Sequence, residues 1–177
     1  MKKIFFLSLI ISGVLISCKK DDVPLDGALI TNGSFEDGNN FSTDGWLTSN
    51  TSSNTNVPAG GGQFSLKISP MTSPSEGFAS YTIEGLEGTK ILNLSCYINS
   101  FDNWPGSISL KKINTDNITT IIATIASDEN SWLQKTLEVT ATFSTGDKLI
   151  VYLSAGSTEV PVASQYVLFD LVELTAE

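Results

Sequence analysis

The side chains able to do chemistry are few in kind. The 177 residues contain no His, and all ten basic residues are Lys. Without His, the usual general base near neutral pH is missing, as are the common zinc ligand and the Ser–His and Cys–His nucleophile pairs. Nineteen acids against ten Lys argue against a nucleic-acid partner, because phosphate binding needs clustered cations. A glycoside hydrolase would need two carboxylates about 5 to 10 Å apart across a cleft. No pair of acids is marked for that by its setting, and only Asp102 stands beside a ring suited to a ligand, Trp104. What remains is aromatic rings set among amides and hydroxyls: Tyr97, Asn99, Trp132, Gln134 and Tyr152, with the loop Phe101-Asp102-Asn103-Trp104-Pro105 as a rim. A pyranose packs its C–H face on an aromatic ring while its hydroxyls need polar partners, so a sheet face carrying both suits a saccharide. Trp104 is the aromatic expected to be most exposed. The plainer alternative is that Trp132 packs at the opening of its strand and that the tyrosines merely cover a sheet. Trp46, after Asp44-Gly45, is expected in the core.

These residues must be positioned by strands. After about residue 27 the chain is short alternating runs split by Gly, Asn, Ser, Thr and Asp, with no sustained helical period. Strands are expected near 28–32, 63–69, 78–84, 90–99, 106–113, 118–126, 132–143, 147–155 and 165–174, with 49–62 as a long loop. Many closely spaced strands without helices predict an all-β antiparallel sandwich or barrel. Period two puts Leu92, Leu94, Cys96 and Ile98 on one face and Asn93, Ser95, Tyr97 and Asn99 on the other. It likewise turns Leu149, Val151 and Leu153 inward and Tyr152 outward. Cys96 is then a small core residue.

The front of the chain reads differently. Two lysines are followed by the apolar run Ile4–Ile16, thirteen residues against the about 20 needed to span a bilayer. Leu15-Ile16-Ser17-Cys18 resembles a bacterial lipobox. That resemblance implies cleavage of residues 1–17 and lipidation of Cys18, which leaves Cys96 as the only thiol and rules out an intramolecular disulfide. Several acyl chains would anchor stably where one binds only marginally. Lys19-Lys20-Asp21-Asp22 is similar to the surface-export signal of Bacteroidota lipoproteins, and it also serves as a solvated tether over 18–27. The expected location is the outer membrane, lipid-anchored and facing outward. The mature chain from Cys18 keeps all 19 acids and eight Lys, a formal charge of −11.

The domain from 28 to 177 carries ordered motifs: Leu29-Ile30-Thr31-Asn32-Gly33-Ser34-Phe35-Glu36, Asp44-Gly45-Trp46, Gly62-Gln63-Phe64-Ser65-Leu66-Lys67-Ile68, Tyr81-Thr82-Ile83-Glu84-Gly85-Leu86-Glu87-Gly88 and Tyr166-Val167-Leu168-Phe169-Asp170-Leu171-Val172-Glu173-Leu174. In that order they resemble carbohydrate-binding modules of the family 4/9/22 type, within the galactose-binding-like jelly rolls. Leu171 stands where a second Asp is common. The resemblance implies a jelly-roll sandwich and a structural calcium, with carboxylates from Glu36 and Asp170 and backbone carbonyls from Ser34 and Lys67. Hard oxygen ligands of this kind suit calcium. The alternative is that Glu36 closes a turn and Asp170 is hydrogen-bonded at a strand end. The expected function is non-catalytic binding of a poly- or oligosaccharide by a surface lipoprotein. The alternative is a structural or protein-interaction subunit of a cell-surface complex, since this fold hosts many functions.

Overall fold

A computed structural model describes residues 27–177. The segment 1–17, Cys18 and the tether up to residue 26 lie outside the described residues.

Among the described residues the elements are all strands. In chain order they are β1 Glu36–Asp37, β2 Asn40–Phe41, β3 Trp46–Ser49, β4 Thr51–Asn54, β5 Ser65–Ile68, β6 Met71–Thr72, β7 Gly77–Ile83, β8 Gly88–Phe101, β9 Gly106–Ile113, β10 Thr119–Ser127, β11 Leu133–Phe143, β12 Lys148–Thr158 and β13 Tyr166–Ala176. They form two facing sheets. The front sheet runs β10-β9-β12-β7-β3, with the short β6 added in parallel to the end of β12. The back sheet runs β11-β8-β13-β5-β4, and a small β1-β2 ribbon lies apart. The fold is the expected antiparallel jelly-roll sandwich.

Alternation along the strands builds the core. Leu92, Leu94, Cys96 and Ile98 of β8 meet Val151, Leu153, Ile108 and Leu110 of the front sheet in one buried cluster. Strand β13 keeps both Phe169 and Val172 in that cluster by a bulge. Between Asp170 and Glu173 the register shifts, and Leu171 takes a positive φ of 48°. One extra residue in the strand restores the inward face after an odd step.

The Asn32-Gly33 motif ties the first segment to this bulge. The backbone N–H of Val172 donates to the Gly33 carbonyl at 2.9 Å, an approach that a Cβ at residue 33 would block. The Asn32 carbonyl accepts from the Trp46 indole at 2.8 Å, and Trp46 packs between Phe35 and Tyr81 with ring centroids 5.3 and 5.2 Å away. Trp46 is therefore a core residue, as its setting suggested.

Two expectations of local structure do not hold. Residues 28–32 make only a single bridge, Ala28 to Thr175, because the side chain and backbone of Asn32 bend the chain away. Residues 49–62 are not one loop. A reversal at Asn50, with φ 54°, joins β3 to β4, and polar Thr51–Asn54 then forms the exposed edge of the back sheet, where strand pairing demands no apolar alternation.

Candidate functional site

The outer face of the front sheet carries the most concentrated chemistry. Strands β7, β12 and β9 are neighbours, and Tyr152 lies diagonal to Phe78, which pairs with Ser154, and to Lys111, which pairs with Ile150. Phe78 stacks on Tyr152 with centroids 5.3 Å apart and planes 17° apart. The Lys111 ammonium sits 3.2 Å from the centroid of the Tyr152 ring. Glu76, just before β7, reaches over the same end. Its carboxylate accepts from the Tyr152 hydroxyl at 2.6 Å and from Ser154 Oγ at 3.2 Å. On the β9 side, Ser109 and Thr124 hydroxyls are 2.8 Å apart. The physical consequences are consistent. Burial, then the adjacent Glu76 carboxylate, raises the Tyr152 pKa well above its ordinary value, so the phenol stays a donor. Burial lowers the pKa of Lys111, against a smaller opposing pull from Glu76. Further along the same face an open groove of about 490 Å³ is lined by Thr82, Ile113, Asn114, Asn117, Lys148 and Ile150. Leu47 and Ile121 flank the face and are 69% and 62% exposed. Rings, hydroxyls, a carboxylate and an ammonium on one open surface can hold a flat, hydroxyl-rich ligand through C–H packing and paired hydrogen bonds.

The outer face of the back sheet is different. There the Trp132–Asn99 row runs into Leu168, which is fully buried although it lies outside the core cluster. The segment 55–64 folds back here. Trp132 donates its indole N–H to the Asn56 side chain at 3.0 Å, while the Asn56 carbonyl accepts from Ser65 Oγ at 2.7 Å. The Glu36 carboxylate pins the other end by accepting from the backbone of Gln63 and Phe64. Beyond this covered part, an open depression of about 360 Å³ is lined by Asn93, Ser95, Thr136, Glu138, Glu173 and Thr175, and no ring lies among its lining residues.

The family model described as Carbohydrate binding domain, of the 4/9 type, matches residues 27–161. The chain belongs to that family. Similar solved structures include Family 16 Carbohydrate Binding Module-2, 16% identical over 83% of this chain and 99% of that chain, with a TM-score of 0.57. TmCBM61 in complex with β-1,4-galactotriose is 15% identical over 85% and 99%, with a TM-score of 0.53. A Clostridium thermocellum xylanase 10B fragment, CBM22-1 joined to GH10 and complexed with xylohexaose, is 14% identical over 86% of this chain and 29% of that chain, with a TM-score of 0.55. No curated protein matches. At these identities the likeness is one of fold.

In this carbohydrate-binding domain the residues singled out from sequence do not share one groove. Tyr97 and Gln134 are cross-strand partners on the back sheet, beside Asp170. Asn99 lies one row on, nearly buried, with its side-chain oxygen unpartnered. Tyr152 faces out of the opposite sheet. Trp104 is not the exposed rim: its indole N–H donates to the Ala155 carbonyl and its ring packs against the core. The turn explains this. Asp102 and Asn103 both take positive φ, 57° and 52°, which reverses the chain between the two sheets and drops Trp104 inward. Asp102 and Asn103 themselves are exposed, and Asp102 accepts from Ser164 at 3.2 Å. Glu76, Phe78 and Lys111 were not singled out, although the alternation of Phe78, Ser80 and Thr82 carries the same outward-ring signal as Tyr152.

Two of the expected cation ligands, Glu36 and Asp170, lie close together. Asp170 is fully buried, and its Oδ1 accepts from the Leu171 N–H at 2.7 Å while Oδ2 has no partner. Burial, with the nearby Glu36 charge adding to it, pushes its carboxyl up to about 8. Both carboxylates lie against the Gly60–Gly62 turn, where a Cβ on Gly61 would strike Asp170 and one on Gly62 would strike Glu36. A buried, unpartnered carboxylate oxygen next to a second carboxylate fits a hard cation. The Lys67 ammonium rests 4.1 Å from the Tyr166 ring centroid, which leaves its backbone carbonyl as the group expected to serve a cation. Among the described residues no three His, Cys, Asp or Glu side chains converge, so carbonyls or water would complete any such shell.

Proposed function

We propose that this chain is a non-catalytic, surface-anchored lipoprotein that holds a poly- or oligosaccharide against the outer face of its front sheet. The observation that carries the reading is the Phe78–Tyr152 stack, hydrogen-bonded to Glu76 and bordered by Lys111, on the partly exposed outer face of the front sheet. Family membership supports binding rather than catalysis. Tyr152 is the centre of the site. Tyr97 and Gln134 have a lesser claim, because the row beside them is roofed by residues 55–64.

The anchoring half of the proposal rests on Leu15-Ile16-Ser17-Cys18 and on the Lys19–Asp22 run. Replacing Cys18 by Ser should release the protein from the membrane fraction, and surface protease should remove the wild type from intact cells. We also assign Glu36 and Asp170 to a structural calcium, supported by the unpartnered Asp170 oxygen. A melt that rises with calcium and falls with chelator would bear this out.

The test of binding is affinity electrophoresis and calorimetry of the calcium-loaded protein against a polysaccharide panel, with Tyr152→Ala as control. Retention lost in that variant supports the proposal. Silence across the panel favours the second reading, a protein-interaction subunit, for which the inward Trp104 and the exposed Leu47 and Ile121 speak.

A further inference from the structure

Lys111 is unlike the other lysines near this face. Lys148 is 2.6 Å from Glu84, and Lys112 is 3.6 Å from Asp147. Among the described residues Lys111 has no carboxylate within ion-pair distance and no hydrogen-bond acceptor, although it is half-buried. Its stem runs between the neighbouring positions Ile121 and Ile150, and its head rests on the Tyr152 ring. The contact with the ring face engages the ammonium from one side only, so N–H donors on its other side remain to be used. The one carboxylate whose field reaches it, Glu76, already accepts from Tyr152 and Ser154.

We propose that Lys111 makes this face selective for glycans that carry a uronic-acid carboxylate. The inference rests on the glycan-binding reading above and goes further by naming the charge of the ligand. A sugar packed on Phe78 and Tyr152 would bring a C6 carboxylate to the free ammonium, and a charge-assisted hydrogen bond would replace water there. The lowered pKa of Lys111 agrees, because burial lowers it and the distant pull of Glu76 offsets that only in part.

The acidity of the chain limits the ligand further. The formal net charge is −9, which repels a dense polyanion. At physiological salt, fields fade over about 8 Å, so a single carboxylate on an otherwise neutral chain feels mainly Lys111 and Glu76. A sparsely substituted glycan therefore suits the site better than a polyuronide.

The experiment uses the whole calcium-loaded protein and oligosaccharide pairs that differ at one sugar: glucuronic acid against glucose, and galacturonic acid against galactose. The wild type should bind the acid member about fivefold more tightly, and 0.5 M salt should erase the difference. Lys111→Met keeps the apolar stem, and in it the ratio should fall to about one. Equal binding of both members by the wild type, or a ratio that survives Lys111→Met, overturns the inference and leaves glycan binding in place. If no member of any pair binds while the protein is folded, the glycan reading itself falls and this inference with it.

Discussion

The two outer faces of the sandwich obey the same alternation yet end in opposite states. On the back sheet, Trp132, Asn99 and Leu168 point outward, but residues 55–64 return across them and are held by Asn56 at one end and Glu36 at the other. On the front sheet, Phe78, Tyr152 and Lys111 point outward, pack on one another and keep part of their surface exposed. Period two decides which face a ring takes. Whether that face can meet a ligand is decided by a loop from elsewhere, here one that three consecutive glycines allow to lie flat over two carboxylates.

The contrast predicts that substitutions in the roofed face change stability, while those in the open face change binding. The largest effect should come from Asp170. Its folded pKa of about 8 exceeds the ordinary 3.8, so between these values the folded state holds a proton that the unfolded chain releases. In chelator, stability should therefore fall as pH rises from about 4 to about 8, by on the order of a few kcal/mol, and level off above. Denaturant melts across that range check it, and Asp170→Asn should flatten the slope. A flat wild-type profile would mean that Asp170 is not held in its protonated form.

Next comes Leu168→Ala, expected to cost about 2–4 kcal/mol by opening a cavity beneath the roof, with glycan affinity unchanged. Tyr152→Ala should do the reverse, weakening binding about tenfold or more with a small change in melting temperature. The smallest effect belongs to Trp132→Phe, which loses one hydrogen bond to Asn56 worth about 1 kcal/mol and nothing in binding. If Trp132→Phe weakened binding while Tyr152→Ala did not, the assignment of the two faces would be inverted.

Strands β8 and β11 and the first half of β12 were legible because they alternate, whereas bulges interrupt the alternation of β10, β13 and the end of β12. Leu92 to Ile98 and Leu149 to Leu153 face inward as period two requires, and Cys96 is buried among them. Strands β3 and β4 were hidden because Thr51–Asn54 is an edge with no apolar side to announce it. The site was only half legible. Tyr152 was identified as an outward ring, but alternation does not say which sheet a strand joins, so Tyr97 and Tyr152 could not be told apart as occupants of opposite faces. Trp104 misled for a local reason: Asp102 and Asn103 signal a turn, and a turn that crosses between sheets sends its next large side chain inward.

Hydrogen exchange on the calcium-loaded protein, with and without an oligosaccharide it retains, tests the central claim most directly. Protection should appear in 76–82, 107–111 and 150–154, the segments that carry Glu76, Phe78, Lys111 and Tyr152. Protection confined instead to 93–99 and 132–138 would place the ligand on the back sheet and contradict the account.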